Sequence, residues 1–154
     1  MDNYKNIIAP DKATMKAANV NPDTRLATDY LNIFNEYIML AQMVADGSLE
    51  YEILLEWRPI DYLSHFSHSG FVGKEIVEQS YLSLSHAKKE IFTQAVDDLI
   101  ILICEHQSQT TPPFEILNQI EQQRDIVAAL ITPPKNPSHI DIEDTQADID
   151  ALFD

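Results

Sequence analysis

Glycine is scarce in this sequence, with three residues among 154. β-Sandwiches and barrels need a turn every few residues and draw on glycine for many of them, so the scarcity disfavours both folds. It also excludes a dinucleotide-binding fold, whose phosphate-binding turn is built from several glycines. The sequence contains no phosphate-binding P-loop, nucleophile elbow or Cys-x-x-Cys pair.

Positive charge and cysteine are scarce as well. Ten Lys and Arg residues stand against 25 Asp and Glu residues, which gives a net charge of -15. A chain this acidic repels phosphate backbones, so we expect no nucleic-acid partner. The single cysteine, Cys104, cannot form an internal disulfide, and a reducing compartment is its natural environment.

Long apolar runs are missing too. The longest run covers residues 99–104, whereas a membrane-spanning helix needs roughly 20 apolar residues. The first twenty residues contain no apolar stretch of signal-peptide length. We therefore expect a cytoplasmic protein that does not bind membranes.

The hydrophobic residues that are present, 45% of the chain, recur at steps of three and four. This period predicts an all-α fold, a compact bundle of about five to six helices. Ser85 is the predicted N-cap of the longest helix. The predicted helices cover about residues 23–46, 49–57, 60–67, 74–82, 86–106 and 114–131.

Three parts of the chain follow from these patterns. Residues 1–22 show no clear period and contain two prolines, which predicts a flexible arm. Residues 23–131 form the helical bundle. Residues 132–154 begin with a proline-rich linker, which cannot hold regular structure because proline lacks the amide donor, and end in an acidic tail that we expect to be disordered.

The acidic tail carries the strongest functional signal in the sequence. Six of the last fourteen residues are acidic and none is basic. Ile149, Leu152 and Phe153 are spaced i, i+3 and i+4, so they form one stripe of a short helix. Such a short helix is marginal alone in water. The pattern is typical of a segment that folds into a partner's apolar groove, and its carboxylates predict a basic rim around that groove.

Residues 145–153, Thr-Gln-Ala-Asp-Ile-Asp-Ala-Leu-Phe, resemble the N-terminal peptide of the flagellar switch protein FliM, Ser-Gln-x-Glu-Ile-Asp-x-Leu-Leu. They are also similar to the acidic C-terminal peptide of the phosphatase CheZ. Both of those peptides bind the chemotaxis response regulator CheY, so the resemblance implies a CheY-like receiver as the partner. The tail residues that we expect to bind it are Gln146, Asp148, Ile149, Asp150, Leu152 and Phe153.

These observations favour a non-catalytic adaptor or regulator in bacterial chemotaxis or two-component signalling, with no cofactor. Another protein with a basic-rimmed apolar groove is an alternative partner. A receiver phosphatase of CheZ or CheC type is an alternative function, because Glu115 and Asn118 fit the Glu-x-x-Asn pattern of the CheC and CheX class. A third possibility is a structural assembly partner whose tail only keeps the protein soluble.

Other candidate residues receive structural interpretations. His65 and His68 are spaced i, i+3 but lack an evident third ligand, so we interpret them as solvated histidines and expect no metal site. Cys104 is expected to be buried and inert, and protonated His106 to be stabilised by the C-terminal end of its helix. The predicted aromatic core consists of Tyr30, Phe34, Tyr37 and Trp57.

Overall fold

The computed structural model describes residues 7–108 and 114–134. Within these two ranges the secondary structure consists of helices and turns, with one isolated antiparallel bridge between Val20 and Ala27. The predicted all-α fold is confirmed. Residues 1–6, 109–113 and 135–154 lie outside the described part.

The described chain contains six α-helices joined by turns and two 3-10 segments. The 3-10 segments, Thr28–Tyr30 and Tyr51–Glu56, lie before and after the second α-helix. The fourth, fifth and sixth helices have nearly the bounds that the hydrophobic period predicts. The helices are α1 Lys12–Ala17, α2 Leu31–Ala45, α3 Tyr62–Ser67, α4 Lys74–Leu82, α5 His86–Gln107 and α6 Phe114–Ile131.

Short oxygen-bearing side chains start three of these helices. Asp11 accepts a hydrogen bond from a first-turn amide of α1, Asp61 does so for α3, and Ser85 does so for α5. Each bond satisfies one of the amides that a helix leaves without a partner at its N-terminus. The predicted cap at Ser85 is confirmed, with its Oγ accepting from the Lys88 amide at 3.2 Å.

The start of α2 differs from the prediction. The sequence predicts a helix from about residue 23, because Asp23 and Thr24 are both residue types that cap helices. In the structure the Asn21 side chain instead accepts hydrogen bonds from the amides of Asp23 and Thr24, at 2.8 and 3.1 Å. This local bonding holds the segment in a turn, with Arg25 at a φ of 62°. Leu26 is buried, and it lies in the turn that precedes α2.

The N-terminal segment also differs from the prediction, because residues 12–20 are part of the fold. Met15, Ala18 and Val20 are each at most 6% exposed, and α1 packs against α4. A helix of six residues is too short to show a hydrophobic period in the sequence, although Asp11 and the Met15–Ala18 spacing are consistent with a short helix. The predicted flexible arm therefore does not extend over residues 12–20.

The core lies between α2, α5 and α6 and is rich in aromatic side chains. Tyr30, Phe34, Tyr37 and Trp57 are all buried, as predicted. Along α5 the buried face follows Phe92, Ala95, Val96, Leu99 and Ile103. Ala87 and Ile91 share the helical spacing of Ala95 and Leu99, which predicts that they are buried, but both are exposed, so this prediction is wrong over the first turns of the helix.

Candidate functional site

The six predicted contact residues of the tail, which fall within positions 146–153, lie outside the described residues. The structure does describe the end of α6, after which the chain continues toward the tail. Ile131 ends α6 and is fully buried, and its carbonyl accepts a hydrogen bond of 2.6 Å from the Thr24 hydroxyl. The tail therefore leaves the body from a fixed position.

Polar side chains hold α6 in this position along its length. The Gln123 amide donates to the Ala95 carbonyl of α5 at 3.0 Å. The Arg124 guanidinium donates to the Asn35 side chain of α2 at 2.7 Å, and Gln42 donates to Glu121 at 3.0 Å. Contacts to two neighbouring helices keep α6 from shifting as a unit.

A groove of about 220 Å³ lies beside the end of α6, and we call it the terminal groove. Its walls come from the turn before α2, from α5 and Leu84 two residues before it, and from α6. Ile91 is 59% exposed at this surface. The lining residues are Asp23, Thr24, Leu26, Leu84, Lys88, Ile91, Phe92 and Leu130.

One basic side chain lines the terminal groove, and a second lies beside it. Lys88 lines it, and Arg25 donates to the Ser83 carbonyl at 3.0 Å. Ser83 directly precedes the lining residue Leu84, so the Arg25 guanidinium is anchored beside the groove.

A second groove, of about 290 Å³, lies between the start of α3 and one face of α5. Tyr30, Tyr62 and Phe92 form its inner wall, with ring centroids 5.3 to 6.2 Å apart. Asp61 and Asp97 also line it. Burial raises the pKa of the Tyr30 hydroxyl above its ordinary value, and these two carboxylates raise it further. An apolar body bearing a positive charge is the ligand chemistry that such a surface accommodates.

His65, in α3, and His68, at the C-cap of that helix, contact different partners. His65 Nε2 lies 3.1 Å from a carboxylate oxygen of Asp29, whereas His68 Nδ1 lies 2.8 Å from the Ser64 carbonyl. His68 is exposed as expected, but His65 is half-buried against the Tyr30 ring. Among the described residues, no group of three His, Cys, Asp or Glu side chains is placed to hold a metal ion.

The prediction for His106 is wrong. The side chain is 2% exposed, and its Nδ1 lies 2.6 Å from the Tyr37 hydroxyl. Burial lowers the pKa of His106 below its ordinary value, because desolvation penalises the imidazolium more than the helix terminus favours it. The step of three from Ile103 places His106 on the buried face, and this spacing is the signal that could have found it.

Cys104 is exposed rather than buried. It follows Ile103 directly, and one residue along a helix rotates the side chain about 100° away from the buried face. Glu115 and Asn118 are exposed on the first turns of α6. Their spacing of three places them on the same side of that helix.

Comparisons with family models, with curated proteins and with solved structures found no match for this chain.

In the described ranges, none of the helices has the length and apolar content needed to cross a membrane.

Proposed function

We propose that this protein is a non-catalytic adaptor or regulator that docks a response-regulator receiver through residues 145–153. The observation that carries the proposal is the stripe formed by Ile149, Leu152 and Phe153 within an acidic segment. A tail that only kept the protein soluble would have no need of three large apolar residues in helical register.

The energetics of such a peptide favour weak, reversible docking. Burying the three apolar side chains stabilises the complex by about 5 to 9 kcal/mol, and ordering the segment costs about 2 to 5 kcal/mol. The difference corresponds to an affinity on the order of micromolar at best. That range suits an adaptor, which must release its partner as readily as it binds it.

The anchored end of α6 supports a tethered arrangement. Residues 132–144 separate the buried Ile131 from the docking segment, and an extended proline-rich linker of this length spans roughly 40 Å. A peptide on a short tether acts at an effective concentration on the order of millimolar for any second contact that the body makes. Peptide and body would then bind one receiver together more tightly than either binds alone.

Titration of a synthetic 139–154 peptide against CheY, with and without a phosphate mimic, tests the proposal by calorimetry. We expect saturable binding that weakens at least about tenfold when Leu152 and Phe153 are both replaced by Ala, since each loses most of its buried area. Ala151→Ser is the matched control, because it lies off the apolar stripe and keeps the charge. An absence of binding at millimolar peptide would refute the proposal.

A further inference from the structure

We infer that the terminal groove is a docking site for this chain's own acidic tail. Bound there, the tail is held back from a receiver, so the groove regulates docking. The inference rests on the proposed role of residues 145–153 as a docking peptide. It assigns a partner to the groove, and the partner is a named segment of the same chain.

The first argument is the apolar surface of the groove. Ile91 is 59% exposed on α5, beside lining side chains of Leu84 and Leu130. Burying an exposed large aliphatic side chain at the mouth of a groove against another apolar group is favourable. The tail carries three apolar side chains on one stripe, and the groove's volume of about 220 Å³ suits a short helical turn better than a whole helix.

The second argument is charge. The chain is strongly acidic, yet Lys88 lines this groove and the Arg25 guanidinium lies beside it, bonded to the Ser83 carbonyl. Asp23 is the one acidic residue in its lining. The tail, with six acidic residues and no basic residue among its last fourteen, therefore finds two cationic partners here, Lys88 and Arg25. By contrast, the second groove, between α3 and α5, presents the carboxylates of Asp61 and Asp97, which would repel the acidic tail.

The third argument is where the chain leaves the body. Leu130 lines the groove, and the next residue, Ile131, is bonded through its carbonyl to Thr24, another lining residue. The remaining chain begins at the edge of the groove, and residues 132–144 are long enough to fold back to it. An intramolecular ligand starting this close has a high effective concentration, so weak contacts suffice.

Paramagnetic broadening in the full chain tests this inference. A nitroxide is placed at Ala147→Cys in a Cys104→Ser background, and the amide signals of Leu84, Lys88, Ile91 and Leu130 are followed. We expect selective loss of these signals. Ile91→Asp should abolish this loss of signal, and Ile101→Asp should preserve it. Ile101→Asp is a matched control, because Ile101 lies on the same helix and is 55% exposed. Equal broadening in both variants, or none in the parent chain, would overturn the inference.

A mixed sample separates docking within one chain from docking between copies. Spin-labelled chain without isotope label is added to isotope-labelled chain without a nitroxide. Unbroadened groove signals in this mixture support docking within the chain. Broadening of similar size would mean that a second copy supplies the tail, which contradicts the inference.

The regulatory consequence has its own measurement. If the groove competes for the tail, Ile91→Asp should raise the affinity of the full chain for CheY by about twofold to tenfold, because a larger fraction of tails is free. Ile101→Asp should leave the affinity unchanged. Failure of the isolated peptide to bind CheY would remove the proposed function alone, whereas failure of the broadening experiment would remove the groove's role and leave the proposed function standing.

Discussion

The imidazole of His106 is buried beside Tyr37, with 2.6 Å between Nδ1 and the hydroxyl oxygen. Burial lowers its pKa in the folded chain, so the unfolded chain takes up a proton first as the pH falls. The stability that neutral His106 contributes is present above its ordinary pKa of about 6.5 and is lost progressively below it. We predict that the free energy of unfolding in urea decreases between about pH 7.5 and pH 5.5.

The variant His106→Gln should flatten this dependence over the same interval, because it removes the titrating group. His68→Gln is the matched control for the substitution itself, since His68 is exposed at the end of α3, and it should leave the free energy of unfolding at pH 7.5 nearly unchanged. Equal slopes for wild type and His106→Gln would show that His106 does not govern acid sensitivity in this range.

Tyr62 gives a second prediction at the residue scale. Its hydroxyl accepts a hydrogen bond of 2.8 Å from the backbone amide of Ala27, which is fully buried. Tyr62→Phe leaves that amide without a partner, and we expect a loss of about 1 to 3 kcal/mol in the free energy of unfolding. Tyr81→Phe is the comparison, because Tyr81 is half-buried at 5.1 Å from the Tyr62 ring. Tyr81→Phe should change the free energy of unfolding by less than about 0.5 kcal/mol. A larger loss for Tyr81→Phe than for Tyr62→Phe would contradict the stabilising role of the hydrogen bond between Tyr62 and Ala27.

At the scale of elements, the packing of α1 on α4 can be tested through Gly73. This glycine precedes α4 at a φ of 94°, and a Cβ there would lie 3.1 Å from Ala18 Cβ. Gly73→Ala combines left-handed strain with a close contact, so we predict a loss of about 1 to 2 kcal/mol, measured by urea unfolding. Gly70→Ala has open space and no left-handed φ, and it should be nearly neutral. Equal effects of the two substitutions would argue against docking of residues 12–20.

Long helices could be predicted from the sequence because their period repeats over several turns. The bounds of α4, α5 and α6 follow from it nearly to the residue. The segments before α2 could not be predicted in this way, because α1 is a single short helix. The turn at residues 21–27 depends on hydrogen bonds of the Asn21 and Thr24 side chains. Those bonds include one to Ile131, more than a hundred positions away.

The features proposed to be functional also differ in how far the sequence predicts them. The stripe in the tail can be recognised locally, because its three apolar residues fall within five positions of one another. The terminal groove could not be predicted, because Leu26, Leu84, Ile91 and Leu130 meet only when three separate parts of the chain pack together. The exposure of Ile91 is the structural fact that separates this groove from ordinary core.

At the scale of the whole molecule, the proposed docking of the tail depends on charge. The net charge is -15, and Lys88 with the neighbouring Arg25 offers the tail positive charge at the terminal groove. Under this proposal, a receiver that competes for the tail offers basic residues and an apolar groove of its own. Both contacts should weaken as salt is raised, because part of the attraction is screened at exposed sites.

The account's central claim is that Ile149, Leu152 and Phe153 recruit a receiver, and calorimetry with the full chain tests it most directly. The full chain and a variant with all three residues changed to Ala are each titrated with CheY. We predict saturable binding by the full chain and a loss of affinity of at least about a hundredfold in the variant, since three buried side chains are removed. Equal affinity for both chains, or no heat of binding for either, would contradict the claim.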